Sequence, residues 1–144
     1  MKALHKNRLL KLAEFLDKLP KEKFDFSSVI SKNEGKCGTI CCAVGWLPTV
    51  FPRSWMWDFV AGDETHINVF RKVPNGEDTK SSHHWHCDFW VDVSKFFGMT
   101  EKEVEQLFFP EMDRPWDPDF MLGEEATANE VADSIRDYIT WKEN

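Results

Sequence analysis

At both ends of this chain apolar side chains recur three and four residues apart, and that spacing is the strongest constraint on its fold. Near the start, Leu9, Leu12, Ala13, Leu16 and Leu19 form one stripe of a 3.6-residue period, with Leu4 and Phe15 at its flanks. The spacing predicts a helix over about residues 3 to 19, stopped by Pro20. Near the end, Thr127-x-x-Glu130 is a capping box that opens a second stripe of Val131, Ile135, Tyr138 and Ile139. Between them, VSKFFGMTEKEVEQLFFP reads as a helix, a stop at Gly98, and a helix capped by Thr100-x-x-Glu103 with Val104, Leu107 and Phe108 facing inward. Helices with one apolar face must bury it, so these segments predict a mainly α, α-rich fold.

The rest of the chain is less regular. Phe24, Phe26, Val29 and Ile30 are expected to dock over the core as an irregular link. CGTICCAVGWLP, residues 37 to 48, predicts a short helix over residues 39 to 47, with Ile40, Ala43, Val44 and Leu47 on one face and Pro48 and Pro52 at its exit. Gly38, Thr39, Cys42, Ala43 and Gly45 are structural candidates there, since small residues let a neighbouring backbone approach closely. Residues 53 to 93 are the hardest to read. Alternation around Ile67, Val69 and Val73, the Asn75-Gly76 turn, and HWHCDFWVDV as a returning strand predict one small β-hairpin, an α+β touch on a helical fold.

A length of 144 residues fits one globular domain, residues 1 to 144, with residues 53 to 93 as a divergent or inserted segment. Twelve Phe and seven Trp imply an aromatic core and argue against disorder along the whole chain. The start lacks the apolar core and small-residue cleavage site of a secretion signal, and no apolar run is long enough to span a bilayer. The expected location is cytoplasmic, with no membrane partner and reduced thiols.

The formal net charge is -7, unevenly spread. Residues 1 to 36 hold nine basic and five acidic side chains, whereas residues 99 to 144 hold four basic and thirteen acidic ones. This polarity fits either attraction between the two ends of the fold or a basic protein partner on the acidic C-terminal face. Duplex nucleic acid is disfavoured, because the N-terminal basic patch is too small to neutralise a stretch of phosphates. The helix at 101 to 108 also presents glutamates where a recognition helix needs donors. The first helix, amphipathic and basic, could in principle lie on a membrane surface, but its stripe suits packing onto the domain.

Two chemical alternatives arise from the thiols and imidazoles. Cys37, Cys42, His84 and His86, within a set that includes Cys41, His83 and Cys87, could supply a structural zinc site, although the spacing is not that of a paired knuckle. A cysteine-dependent hydrolase could use Cys37 at a helix N-terminus as nucleophile, His84 as base and Asp88 to orient the imidazole. The bland alternative is a set of buried thiols and surface histidines with no cofactor. Phosphate-loop, dinucleotide and HExxH signatures are absent from the sequence. The primary reading is therefore a non-catalytic protein-binding or regulatory module, with Trp55, Trp57, Trp85, Trp90 and Trp116 as candidate exposed anchors.

Five elements in order carry a resemblance: Phe24-Asp25-Phe26, Cys37-Gly38-Thr39 with Cys42-Ala43-x-Gly45, Phe96-Phe97-Gly98-Met99, Leu107-Phe108-Phe109-Pro110, and the Thr127-capped last helix. Together they resemble a family of small uncharacterised proteins from bacteria and their phages. The resemblance covers most of the chain outside residues 53 to 90 and implies a bacterial or phage origin, but no mechanism. Cys41 stands where a small residue is expected, and the HHWHCD run lies in the divergent stretch, so neither supports a site shared across that family.

Overall fold

The computed structural model describes residues 1–26, 31–32, 39–40, 42–60, 63–72 and 86–144. Helix α1 (Ala3–Lys18) buries Leu9, Leu12, Ala13 and Leu16 completely, and each fully buried leucine contributes roughly 1.5–3 kcal/mol relative to exposure. Its partner is the last helix, α5 (Ala128–Glu143), which buries Val131, Ala132, Ile135, Tyr138 and Ile139. The two run antiparallel: Lys6 near the start of α1 pairs with Glu143 at 2.9 Å, and Asp17 near its end pairs with Arg136. Lys6–Glu143 joins a base of the first helix to an acid of the last, and Asp17–Arg136 does the reverse. The apolar stripe of α1 is thus covered within the fold, while Leu4 at its flank stays exposed.

Two further helices complete the frame, α3 (His86–Phe97) and α4 (Glu101–Phe108). Between them, Gly98 has φ +65°. Its N–H donates to the Lys95 carbonyl at 3.3 Å and that of Met99 to Ser94 at 2.9 Å, the paired closure of a helix that ends on a left-handed residue. A side chain at this position would also collide with the His5 ring, 2.0 Å from where its Cβ would lie.

The 39 to 47 segment departs from the expected helix. Thr39–Ile40 is a short strand (β2) paired antiparallel with Ser31–Lys32 (β1). The chain then turns at Ala43, makes a 3₁₀ turn over Val44–Trp46 and enters a four-residue helix, α2 (Leu47–Val50). β-Branched Thr39 and Ile40 suit an extended backbone, and Gly45 weakens any helix through it. Pro48 sits in the first turn of α2, where its missing N–H costs nothing, so it opens a helix rather than closing one. Cys42, Ala43, Val44, Leu47 and Val50 are nevertheless core residues.

A hairpin exists, but one segment earlier than expected. Strand β3 (Trp55–Val60) pairs with β4 (Asp63–Arg71), placing Trp55 opposite Arg71 and Trp57 opposite Val69. Of the residues read as the returning strand, 86–93 instead belong to α3, because Phe89, Val93 and Phe96 recur at helical spacing and are all buried, while His84 and Trp85 fall outside the described residues. Ile67 and Val69 do lie on a strand, whereas Val73 and the Asn75-Gly76 turn fall outside the described residues.

Rings knit these elements together. Phe96 meets Phe51 at 5.0 Å, Phe97 at 5.1 Å and Trp55 at 5.4 Å between ring centres, all edge to face. A second cluster joins Phe15, Trp46 and Trp57. There the indole N–H of Trp57 donates to the Gly45 carbonyl at 3.0 Å and that of Trp46 to the Lys23 carbonyl at 3.2 Å. No helix among the described residues is long and apolar enough to cross a membrane.

Candidate binding surface

The thiol and imidazole candidates do not assemble into a site among the described residues. Cys42 is buried, and burial pushes its thiol up to about 11, so it stays protonated and inert at neutral pH. Cys37, Gly38, Cys41, His83, His84 and Trp85 lie outside the described residues. His86, Cys87 and Asp88 belong to the first turn of α3 rather than to a strand. Thr39–Ile40 is extended rather than the first turn of the expected helix. Among the described residues, no three His, Cys, Asp or Glu side chains converge as metal ligands.

The tryptophans separate by burial. Trp55, 1% exposed, is core and has no surface to offer. Trp57 is half-buried and hydrogen-bonded to Gly45, while Trp90 is wedged between Phe89 and Phe109 at 4.8 and 4.6 Å. Trp116 is the one described candidate that reaches the acidic C-terminal side. It arrives on the proline-punctuated loop between α4 and α5, and buried Arg114 anchors that loop. The Arg114 guanidinium donates to the carbonyls of Phe109 at 3.1 Å and Met112 at 3.4 Å. Burial pushes Arg114 down to about 10, opposed by the charge of Asp117.

From this anchored loop, Trp116 lies across α5. Its indole N–H donates to Ser134 Oγ at 3.1 Å, and its ring meets Tyr138 at 5.0 Å and Trp141 at 5.7 Å. Trp141 is 39% exposed, and Phe120 and Met121, further along the Trp116 loop, are each over half exposed. Asp133, Asp137 and Trp141 stand four residues apart and so share one flank of α5. The Asp137 carboxyl is raised above the ordinary aspartate range by partial burial and by the charges of Asp117 and Asp133. The nearest arginine on the helix, Arg136, is committed to Asp17 and to Asp133 at 3.0 Å. Lys142 stands 5.5 Å from the Trp141 ring and is paired with Glu103.

Trp141, Asp137 and the exposed loop pair Phe120 and Met121 are not among the residues that sequence reasoning singles out. The four-residue spacing along the last helix carries the signal of Asp137 and Trp141, but the outer flank of an amphipathic helix reads as ordinary solvated charge, and Phe120 and Met121 lie on a loop with no period. A separate cleft of about 300 Å³ opens where Leu19 and Phe24 meet the start of α5. Its charged lining consists of Lys21 and Glu125, and the Thr127 hydroxyl on its wall is engaged with Glu130 in the cap of α5.

The arrangement on α5 is suited to binding. Two indoles packed together offer a broad apolar face, and the adjoining carboxylates offer charge that a cation would neutralise. The chain matches no family model, no curated protein and no solved structure closely enough to show kinship.

Proposed function

We propose that this protein is a non-catalytic protein-binding module of bacterial or phage origin, whose C-terminal face docks a basic, apolar-flanked segment of a partner protein. The observation that carries this reading is the exposed Trp141 packed on Trp116 beside Asp137, a carboxyl raised by partial burial and then by two neighbouring acids. An arginine or lysine placed there gains a ring face, relieves carboxylate repulsion and leaves its apolar neighbours to cover Phe120 and Met121. Aromatic anchors of this kind dominate affinity when a rim excludes water around them, and the charges chiefly accelerate encounter.

A synthetic peptide alternating arginine with leucine, titrated calorimetrically against the full chain, tests the reading. The expected result is saturable binding that weakens with salt and is absent for the matching glutamate–leucine peptide. Trp141→Ala should weaken it roughly 10- to 30-fold, as for an interface anchor. Asp137→Asn should weaken it less and flatten its salt dependence. Binding should also fade as the pH falls through the raised value of Asp137, where the carboxylate is lost. Equal binding of both peptides, or affinity unchanged in Trp141→Ala and Asp137→Asn, would overturn the reading.

A further inference from the structure

We propose that the surface where α1 meets the end of β4 is a binding site for a small phosphate-class oxyanion, seated among Arg8, Lys11, Arg71 and Lys72. Three of the cations stand by one pair of adjacent rings, Phe51 and Phe96, and Lys72 reaches the residue that follows Phe51. The Arg8 guanidinium lies 3.9 Å from the centre of the Phe96 ring and that of Arg71 lies 5.4 Å from it. Lys11 stands 5.3 Å from the centre of the Phe51 ring, and Lys72 donates to the carbonyl of the adjoining Pro52 at 2.9 Å.

Arg8 is the informative member. It is half-buried and donates through Nη1 to the Phe96 carbonyl at 2.7 Å, which fixes the plane of its guanidinium. No carboxylate pairs with it among the described residues, and both burial and the charge of Arg71 act against its proton. Arg71 has partners of its own, including the Asp92 carbonyl at 3.4 Å. His5, one turn before Arg8, is lowered by burial and then by the charges of Arg8, Lys2 and the terminal amine, a sign of the positive potential of this surface.

Two guanidiniums held over one ring, with a spare donor edge on Arg8, match the forked geometry that a phosphoryl group accepts from arginine. An oxyanion there would favour the charged form of Arg8, which burial and the charge of Arg71 oppose. The patch is short, so it fits a phosphate or phosphate ester rather than the phosphate track of a duplex. The site lies apart from Trp141 and does not depend on the protein-binding face.

Calorimetric titration of the full chain with inorganic phosphate and with pyrophosphate, at low ionic strength and against chloride at matched ionic strength, tests the proposal. Phosphate should bind saturably where chloride does not. Arg8→Gln should weaken it about tenfold or more, the loss expected for a charge-assisted hydrogen bond. The double variant Lys11→Ser with Lys72→Ser, which alters exposed side chains, should weaken it about threefold or more even if Arg8→Gln fails to fold. Trp141→Ala should leave it unchanged. Glycerol phosphate and vesicles with and without phosphatidic acid separate a soluble ester from a lipid headgroup. Heats no larger than those of chloride, affinity unaltered by the lysine pair, or binding confined to vesicles would each overturn the proposal.

Discussion

Trp55 sits at the junction of hairpin and helices, flanked by Phe89 and Phe96, with an indole N–H that lacks a hydrogen-bond partner among the described residues. Burying such a donor costs about 1–3 kcal/mol, so ring packing must outweigh the penalty for tryptophan to remain there. Trp55→Phe, which removes the donor and keeps an aromatic ring, should therefore cost less than about 2 kcal/mol, whereas Trp55→Ala should cost about 3–5 kcal/mol. Urea unfolding followed by circular dichroism measures both. A Trp55→Phe loss as large as that of Trp55→Ala would mean that the indole edge, not the ring face, holds the junction. Single tryptophans are hard to sort from sequence because burial is decided by what packs on them. Trp55 and Trp116 have the same side chain, yet one closes the core and the other lies across a helix under an anchored loop.

At the level of elements, the two capping boxes are both present. Thr100 Oγ1 accepts from the Glu103 N–H at 3.2 Å while Glu103 Oε2 accepts from the Thr100 N–H at 2.8 Å, and Thr127 with Glu130 repeats the exchange at 3.2 and 3.1 Å. Glu103 has a second task, since it pairs with Lys142 and so ties α4 to the end of α5. Burial alone would raise its carboxyl, but Lys142 and the Thr100 N–H outweigh that and hold it below the ordinary glutamate value. A carboxyl lowered by folding stabilises the folded state above its unfolded value of about 4.5. That contribution is lost as pH falls through the lower folded value. Glu103→Gln should thus reduce stability at pH 7 and flatten its decline between pH 5 and pH 3, read from urea midpoints across that range. An unchanged acid slope would place the acid sensitivity elsewhere. These helices are legible because a cap and an apolar period agree on the same residues. The 39 to 47 segment and the hairpin are not, because short apolar runs carry no period of their own. HCDFWVDV alternates well enough for a strand, and it is a helix because Phe89, Val93 and Phe96 can all face the same core.

Across the whole molecule, the pairing of α1 with α5 joins positions 137 residues apart through Lys6 and Glu143. Exposed ion pairs of this kind are each worth about 0–1 kcal/mol, so burial along the two stripes must hold the helices together. A chain ending before Ala128 should lose cooperative unfolding, bind a hydrophobic dye and aggregate, whereas Lys6→Ala with Asp17→Ala should unfold cooperatively within about 1–2 kcal/mol of the parent. Dye fluorescence and thermal scans distinguish these outcomes. A truncated chain that still unfolded cooperatively would show that α1 finds another partner. The charge polarity is legible in sequence, and so is each stripe; that they meet is not, because pairing across such a distance leaves no local trace. It also sets the timing of folding during synthesis. The ribosome delivers the Leu9–Leu16 stripe well before the α5 residues that cover it, so a nascent chain carries an adhesive helix while the residues between them are made. Anything that stalls elongation before α5 emerges, a run of slow codons or a premature stop, leaves that helix to chaperones or to proteolysis.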